Sequence, residues 1–133
     1  MLRFAIAAAC LLILAGCGED DEGQGARGGG SAALAAHLMV TVRPEGPGGP
    51  VRERLVTCER LGAGKPACRS LSADSLAPVP ERMACTAIYG GPALAQVTGT
   101  LRGERVNAAF SLEDGCQIAR WERSRALLGP PRQ

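Results

Sequence analysis

Cysteine spacing constrains the fold of this chain more than any other feature of its sequence. Two of the six cysteines lie near the N-terminus, and the other four are Cys58, Cys68, Cys85 and Cys116. In an exported domain, four cysteines predict two disulfide bonds, with three possible pairings. We favour Cys58 with Cys68 and Cys85 with Cys116, because each bridge then closes one segment without crossing the other. Metal binding is the weaker interpretation, since there is no Cys-x-x-Cys motif and the chain has a single histidine.

Disulfides matter here because the sequence provides few large apolar side chains. Beyond the N-terminal segment, the aromatic residues are Tyr89, Phe110 and Trp121. A domain of about 100 residues with so small a core gains little stability from burial alone. Each bridge is expected to add about 2–4 kcal/mol, mostly by restricting the unfolded chain.

The N-terminal segment is typical of an export signal. Arg3 supplies a positive charge, and residues 4–14 form an apolar run too short to span a membrane comfortably. The run ends in Leu-Ala-Gly-Cys, the pattern of a bacterial lipobox, in which the Cys17 thiol receives a diacylglyceryl group. The alternative is ordinary secretion with cleavage elsewhere. We therefore expect a signal peptide over residues 1–16 and an extracellular protein whose lipid, at Cys17, enters the outer leaflet of the cell membrane.

Composition divides the rest of the chain. Residues 17–35 are acidic and rich in glycine, which predicts a flexible tether. A domain is expected over residues 36–126, followed by a flexible tail over residues 127–133. The domain has one lysine, Lys65, and scattered arginines, with no basic stripe interleaved with aromatic residues. Nucleic acid is therefore not an expected partner.

Alternating apolar and polar residues predict an antiparallel sheet of about five strands. The strands are expected over residues 37–42, 51–58, 93–101, 104–112 and 116–121, with a short helix within residues 69–76. Arg102-Gly103 is predicted to be a two-residue hairpin connection. In the strand that follows, Val106, Ala108, Phe110 and Leu112 share one face. The predicted class is an α+β domain with one or two short helices and two disulfides.

No group of residues suggests catalysis. His37 lies in the first predicted strand, and we expect it to be a surface residue rather than a general base. The carboxylates lie mostly at turns or strand ends and show no paired spacing. There is no nucleophile elbow, phosphate-binding loop or metal motif. We therefore expect a protein without enzymatic activity, metal or cofactor.

The segment "CTAIYGGP", residues 85–92, is open to two interpretations. It begins at a cysteine, carries no charge and ends in two glycines and a proline. One interpretation is a structural turn beside a disulfide, with Tyr89 packed on the sheet. The other is a loop held in a fixed shape so that a partner can bind it.

Residues 85–116, "CTAIYGGPALAQVTGTLRGERVNAAFSLEDGC", resemble the second half of the subtilisin inhibitor-like family, which comprises small secreted serine-protease inhibitors of actinomycetes. The matching positions are Cys85, Tyr89, Gly99, Gly103, Arg105, Val106, Phe110 and Cys116. Upstream, "LMVTV", the first two domain cysteines and "ACRSL" match more loosely, so that the resemblance covers roughly residues 36–121.

This resemblance implies a five-stranded antiparallel sheet with two helices, a homodimer, and binding to subtilisin-like serine proteases. By position, the reactive bond is Ala87–Ile88, in a reactive loop that also includes Cys85, Thr86, Tyr89 and Gly90. Ala87 is then the residue that enters the primary pocket of the protease. A loop that is already extended loses little conformational entropy on binding, and its backbone on the Thr86 side can pair with the protease as an added strand.

The chain departs from the family pattern in this loop. The family commonly has proline at the position of Thr86, and methionine or lysine at that of Ala87. It usually has Asp-Pro after the tyrosine, where this chain has Gly-Gly-Pro. A second hypothesis is therefore a lipoprotein of the cell envelope that keeps the fold without inhibition and binds a partner elsewhere. Its candidate surface comprises Arg120, Trp121, Arg123 and Arg125.

Overall fold

The structure, a computed structural model, describes residues 34–131. Four strands form one antiparallel sheet in the order β2-β1-β3-β4. They are β1 (Ala36–Arg43), β2 (Arg52–Cys58), β3 (Leu94–Leu101) and β4 (Glu104–Phe110). The helices are α1 (Pro66–Ser70), α2 (Ala73–Leu76), α3 (Gly115–Arg123) and α4 (Arg125–Leu128). The predicted α+β class and antiparallel sheet are confirmed, with four strands in place of about five.

Buried and exposed residues alternate along the strands, so one face of the sheet is covered by the core and the other is open to solvent. In β1, Ala36, Leu38, Val40 and Val42 are all buried. The residues between them point to the opposite face, where His37 is exposed as expected. Met39 is 40% exposed and its cross-strand partner Leu55 is 53% exposed. The core therefore lies between one face of the sheet and the helices.

The predicted β3–β4 hairpin is confirmed. Leu101 pairs with Glu104, which leaves Arg102 and Gly103 as the two-residue connection. Both have positive φ, 52° and 82°, as a type I′ turn requires. The predicted apolar face of the second strand is confirmed as well: Ala108, Phe110 and Leu112 are buried and Val106 packs against the core.

The predicted strand over residues 116–121 is wrong, because this segment lies in α3. The side chain of Asp114 accepts a hydrogen bond from the Gln117 backbone N–H at 2.8 Å and so caps the helix. Ile118 packs on the core and Trp121, three residues later, is fully buried. Residues three apart lie on the same side of a helix, whereas in a strand they would point to opposite faces.

Two smaller differences concern the other helices. The single helix predicted within residues 69–76 is divided between α1 and α2, and a reciprocal pair of hydrogen bonds between Ser72 and Ser75 starts α2. The flexible tail predicted from residue 127 is wrong at its start, because Leu127 and Leu128 in α4 are buried. The Arg54 guanidinium also donates to the Leu127 carbonyl. The packed domain therefore extends to at least Leu128.

The predicted signal peptide, Cys17 and the tether up to residue 33 lie outside the described residues. Within residues 34–131, no helix is both long and apolar enough to cross a membrane.

Candidate functional site

Both predicted disulfides are present, Cys58–Cys68 and Cys85–Cys116. The first lies within the core, where both cysteines are buried. The second joins the start of the loop to the first turn of α3, with a Cα–Cα distance of 5.4 Å. This bridge fixes one end of the loop to an element that is itself packed on the sheet.

A close backbone contact reinforces that end. The Gly115 N–H donates to the Thr86 carbonyl at 3.0 Å. A Cβ at Gly115 would overlap with the Thr86 hydroxyl, so a larger residue here would require the Thr86 side chain to move. The first turn of α3 therefore holds the loop through one covalent bond and one hydrogen bond.

The other end of the loop is held by a hydrogen bond and by close packing. The Gly90 N–H donates to the Leu112 carbonyl at 2.7 Å. A Cβ at Gly90 would lie 2.9 Å from Cγ1 of Ile118 and 3.1 Å from Cβ of Leu112. Gly91, the next residue, is buried. The glycines that depart from the family pattern therefore bring the chain into contact with the domain instead of loosening it.

Between these two ends the backbone bends at Ala87. The Ile88 N–H donates to the Thr86 carbonyl at 2.9 Å, a three-residue turn centred on Ala87. Arg102 is the one non-glycine residue with positive φ among the described residues, so the turn at Ala87 is of the inverse, unstrained type. The Thr86 carbonyl accepts two internal hydrogen bonds and points inward. The backbone therefore bends at Ala87, directly after Thr86, while extended backbone on the Thr86 side stays a prediction.

The side chains at this bend face solvent. Thr86, Ala87, Ile88 and Tyr89 are all exposed. Ile88 is 59% and Tyr89 68% exposed, the highest values for large apolar side chains in the described part of the chain. The interpretation in which Tyr89 packs on the sheet is therefore wrong. The predicted reactive-loop residues form one exposed segment that is fixed at both ends.

A buried arginine, which the sequence did not reveal, supports the chain leading to the loop. The Arg120 guanidinium donates to the carbonyls of Leu76 at 2.9 Å, Ala77 at 2.7 Å and Ala109 at 2.5 Å. It also lies 3.9 Å from the centre of the Phe110 ring. Burial, and secondarily the charge of Arg123, lower the pKa of Arg120. Arg120 thus ties the end of α2 to β4 and α3.

The burial of Arg120 removes the surface proposed for a second binding function. Arg120 and Trp121 are 4% and 0% exposed, so neither can contact a partner. Arg123 and Arg125 are exposed, and Arg125 forms an ion pair with Glu122 at 3.2 Å. The four residues therefore do not form one exposed surface.

One cluster has the spacing of a metal site without its chemistry. The Asp114 carboxylate and the sulfur atoms of Cys85 and Cys116 lie within 4.8 Å of one another. Both sulfurs are in a disulfide, so neither is a thiolate, the form in which cysteine binds metals. Asp114 meanwhile caps α3.

The fold and this site define the class of the protein: a small disulfide-bonded α+β domain that displays an uncharged loop fixed at both ends. Comparison of the chain with protein-family models, with curated proteins and with solved structures gives no match. The likeness to the subtilisin inhibitor-like family therefore rests on sequence positions alone.

Proposed function

We propose that the protein is a serine-endopeptidase inhibitor that presents residues 85–90 to a subtilisin-like protease in the manner of a substrate. The observation that carries the proposal is the solvent exposure of Ile88 and Tyr89 on a loop whose two ends are fixed to the domain. A loop of this kind loses little conformational entropy on entering a cleft, and it has apolar side chains for the partner to bury.

The reactive bond in this proposal is Ala87–Ile88. The serine oxygen of the protease attacks the Ala87 carbonyl carbon, the C–N bond breaks, and the departing Ile88 nitrogen takes a proton. The disulfide at Cys85 holds the acyl side, and the Gly90 N–H hydrogen bond to Leu112 holds the amine side. The new amine therefore stays beside the acyl-enzyme, where religation competes with hydrolysis.

Alanine at position 87 limits the range of target proteases. Compared with a methionine-sized side chain, the Ala87 methyl group forgoes about 1–3 kcal/mol of burial in a large primary pocket. Elastase-like or subtilisin-like enzymes that accept alanine are the proteases that fit. We propose that the inhibitor acts outside the cell, a location with which the two disulfides are compatible. We also propose that a lipid at Cys17 tethers it to the membrane. The homodimer implied by the family resemblance stays a prediction.

The proposal is tested by incubating the exported full-length chain with a panel of serine proteases. Inhibition with a Kd below about 1 µM, and a chain that stays intact, is the expected result. Rapid cleavage at Ala87–Ile88, or the absence of both inhibition and cleavage with every protease of the panel, would contradict the proposal. Those outcomes would favour the second hypothesis, a non-inhibitory binding module of the cell envelope, for which the described residues no longer offer the surface around Arg120.

A further inference from the structure

The apolar surface of the loop lies on one side of the proposed reactive bond. Ile88 and Tyr89, on the leaving-group side, are 59% and 68% exposed. On the acyl side, Ala87 carries a single methyl group and Thr86 is polar. The large exposed apolar side chains next to the bond therefore both lie after it, and the nearest one before it is Met83, four residues from Ala87 and 53% exposed.

The exposure of Tyr89 is notable in a protein with so few aromatic residues. The other two aromatic side chains of the described part, Phe110 and Trp121, are 3% and 0% exposed. Tyr89 is the only tyrosine of the chain, and it faces solvent although the core is small. Adjacent apolar side chains exposed on a fixed loop mark a binding site, and tyrosine is among the residues that contribute most to such sites.

The backbone around these two residues is already ordered. The Ile88 N–H is hydrogen-bonded to Thr86, and Gly90, which follows Tyr89, is bonded to Leu112 and packed against Ile118. Tyrosine has only two side-chain torsions, so fixing its ring costs little entropy. The leaving-group side of the loop is therefore both the more apolar side and a well-ordered one.

We infer that the specificity of this inhibitor is determined on the leaving-group side, by Ile88 and Tyr89. The target is a serine endopeptidase whose primary pocket is small and whose two subsites after the scissile bond are apolar. Residues 83–101 contain no charged side chain, so a charged group in those subsites would have no oppositely charged partner on the loop. The inference rests on the proposed function, because it names the partner of the same loop.

The experiment measures Kd for the exported full-length chain and its variants against subtilisin and elastase whose catalytic serine is replaced by alanine, so that cleavage does not intervene. Ile88→Ala and Tyr89→Ala should each weaken binding about tenfold or more. Ala87→Gly should weaken it about threefold or less, although glycine also loosens the backbone. The matched control is Leu55→Ala on the open sheet face, 53% exposed, which should leave Kd unchanged.

A further variant tests the chemistry of the second subsite. Tyr89→Phe keeps the ring and removes the hydroxyl, so an apolar subsite should bind it as it binds the original chain. If Tyr89→Phe loses as much affinity as Tyr89→Ala, the subsite recognises the hydroxyl and the inference fails. It also fails if Ala87→Gly weakens binding more than Ile88→Ala and Tyr89→Ala, or if Leu55→Ala weakens it as much as they do. Those three outcomes leave the proposed function intact. Failure of the original chain to bind either protease, together with no inhibition of any protease in the panel above, refutes the function and the inference with it.

Discussion

Replacing Arg120 by methionine should destabilise the domain without altering the exposed loop residues. Methionine fills much of the same volume but leaves the carbonyls of Leu76, Ala77 and Ala109 without their donor. The Leu76 contact is buried and the other two are partly buried, so water can replace only part of what is lost. A buried carbonyl left without a donor costs about 1–3 kcal/mol, and the two partly hydrated carbonyls cost less each. The free energy of unfolding should therefore fall by about 3 kcal/mol in total.

Urea denaturation of the exported chain measures this loss. With a slope of about 1–3 kcal/mol per molar, the midpoint should fall by about 1–3 M at an unchanged slope. The control is Arg123→Met, an exposed neighbour on the same helix, whose effect should stay within about 0.5 kcal/mol. The loss of stability for Arg120→Lys should lie between those of the other two variants, because an ammonium group cannot donate in the planar, forked geometry of the guanidinium. A loss below about 1 kcal/mol for Arg120→Met would refute the role assigned to these three hydrogen bonds.

Three further predictions concern the anchor and the loop. Cys17→Ser should block processing or release the protein from membranes, and its continued partitioning with membranes after signal removal would exclude lipidation at that residue. Ala87→Lys should create inhibition of trypsin-like proteases, whose primary pocket holds a carboxylate, at a melting temperature unchanged in thermal melts. No gain against trypsin in a folded, uncleaved variant would mean that the loop is not presented to proteases. Replacing Cys85 and Cys116 together by serine should turn the inhibitor into a substrate cleaved at Ala87–Ile88, as mass spectrometry can show; unchanged inhibition would mean that the disulfide does not hold the loop.

Local features of the fold were predictable from the sequence because they depend on near neighbours. Arg102-Gly103 follows one alternating segment and precedes another, and a two-residue connection of this kind is typical of a hairpin. The apolar face of β4 was predictable because side chains in a strand alternate between its two faces. Joining Cys58 to Cys68 and Cys85 to Cys116 was the pairing in which each bridge closes its own segment of the chain, and the structure confirms it.

The candidate loop was predictable in position but not in shape. Its cysteine, its lack of charge and its terminal glycines indicated a fixed, uncharged segment. That Gly90 contacts Ile118, and Gly115 contacts Thr86, depends on residues about 30 positions apart in sequence. The Thr86 carbonyl points inward because it accepts a hydrogen bond from Gly115 at the start of α3. The bend at Ala87 therefore could not be predicted from the residues of the loop alone.

By itself, then, the sequence determined the antiparallel sheet, its hairpin, the disulfides and the location of the loop, because each depends on local periodicity or cysteine spacing. The tertiary structure alone decided that residues 116–121 are helical, that Arg120 is buried, that Leu127 belongs to the core and that Tyr89 faces solvent. Residues 116–121 are compatible with a strand or a helix, and burying Trp121 against the sheet selects the helix. Burial and exposure depend on which distant segments pack together, and no pattern confined to neighbouring residues contains that information.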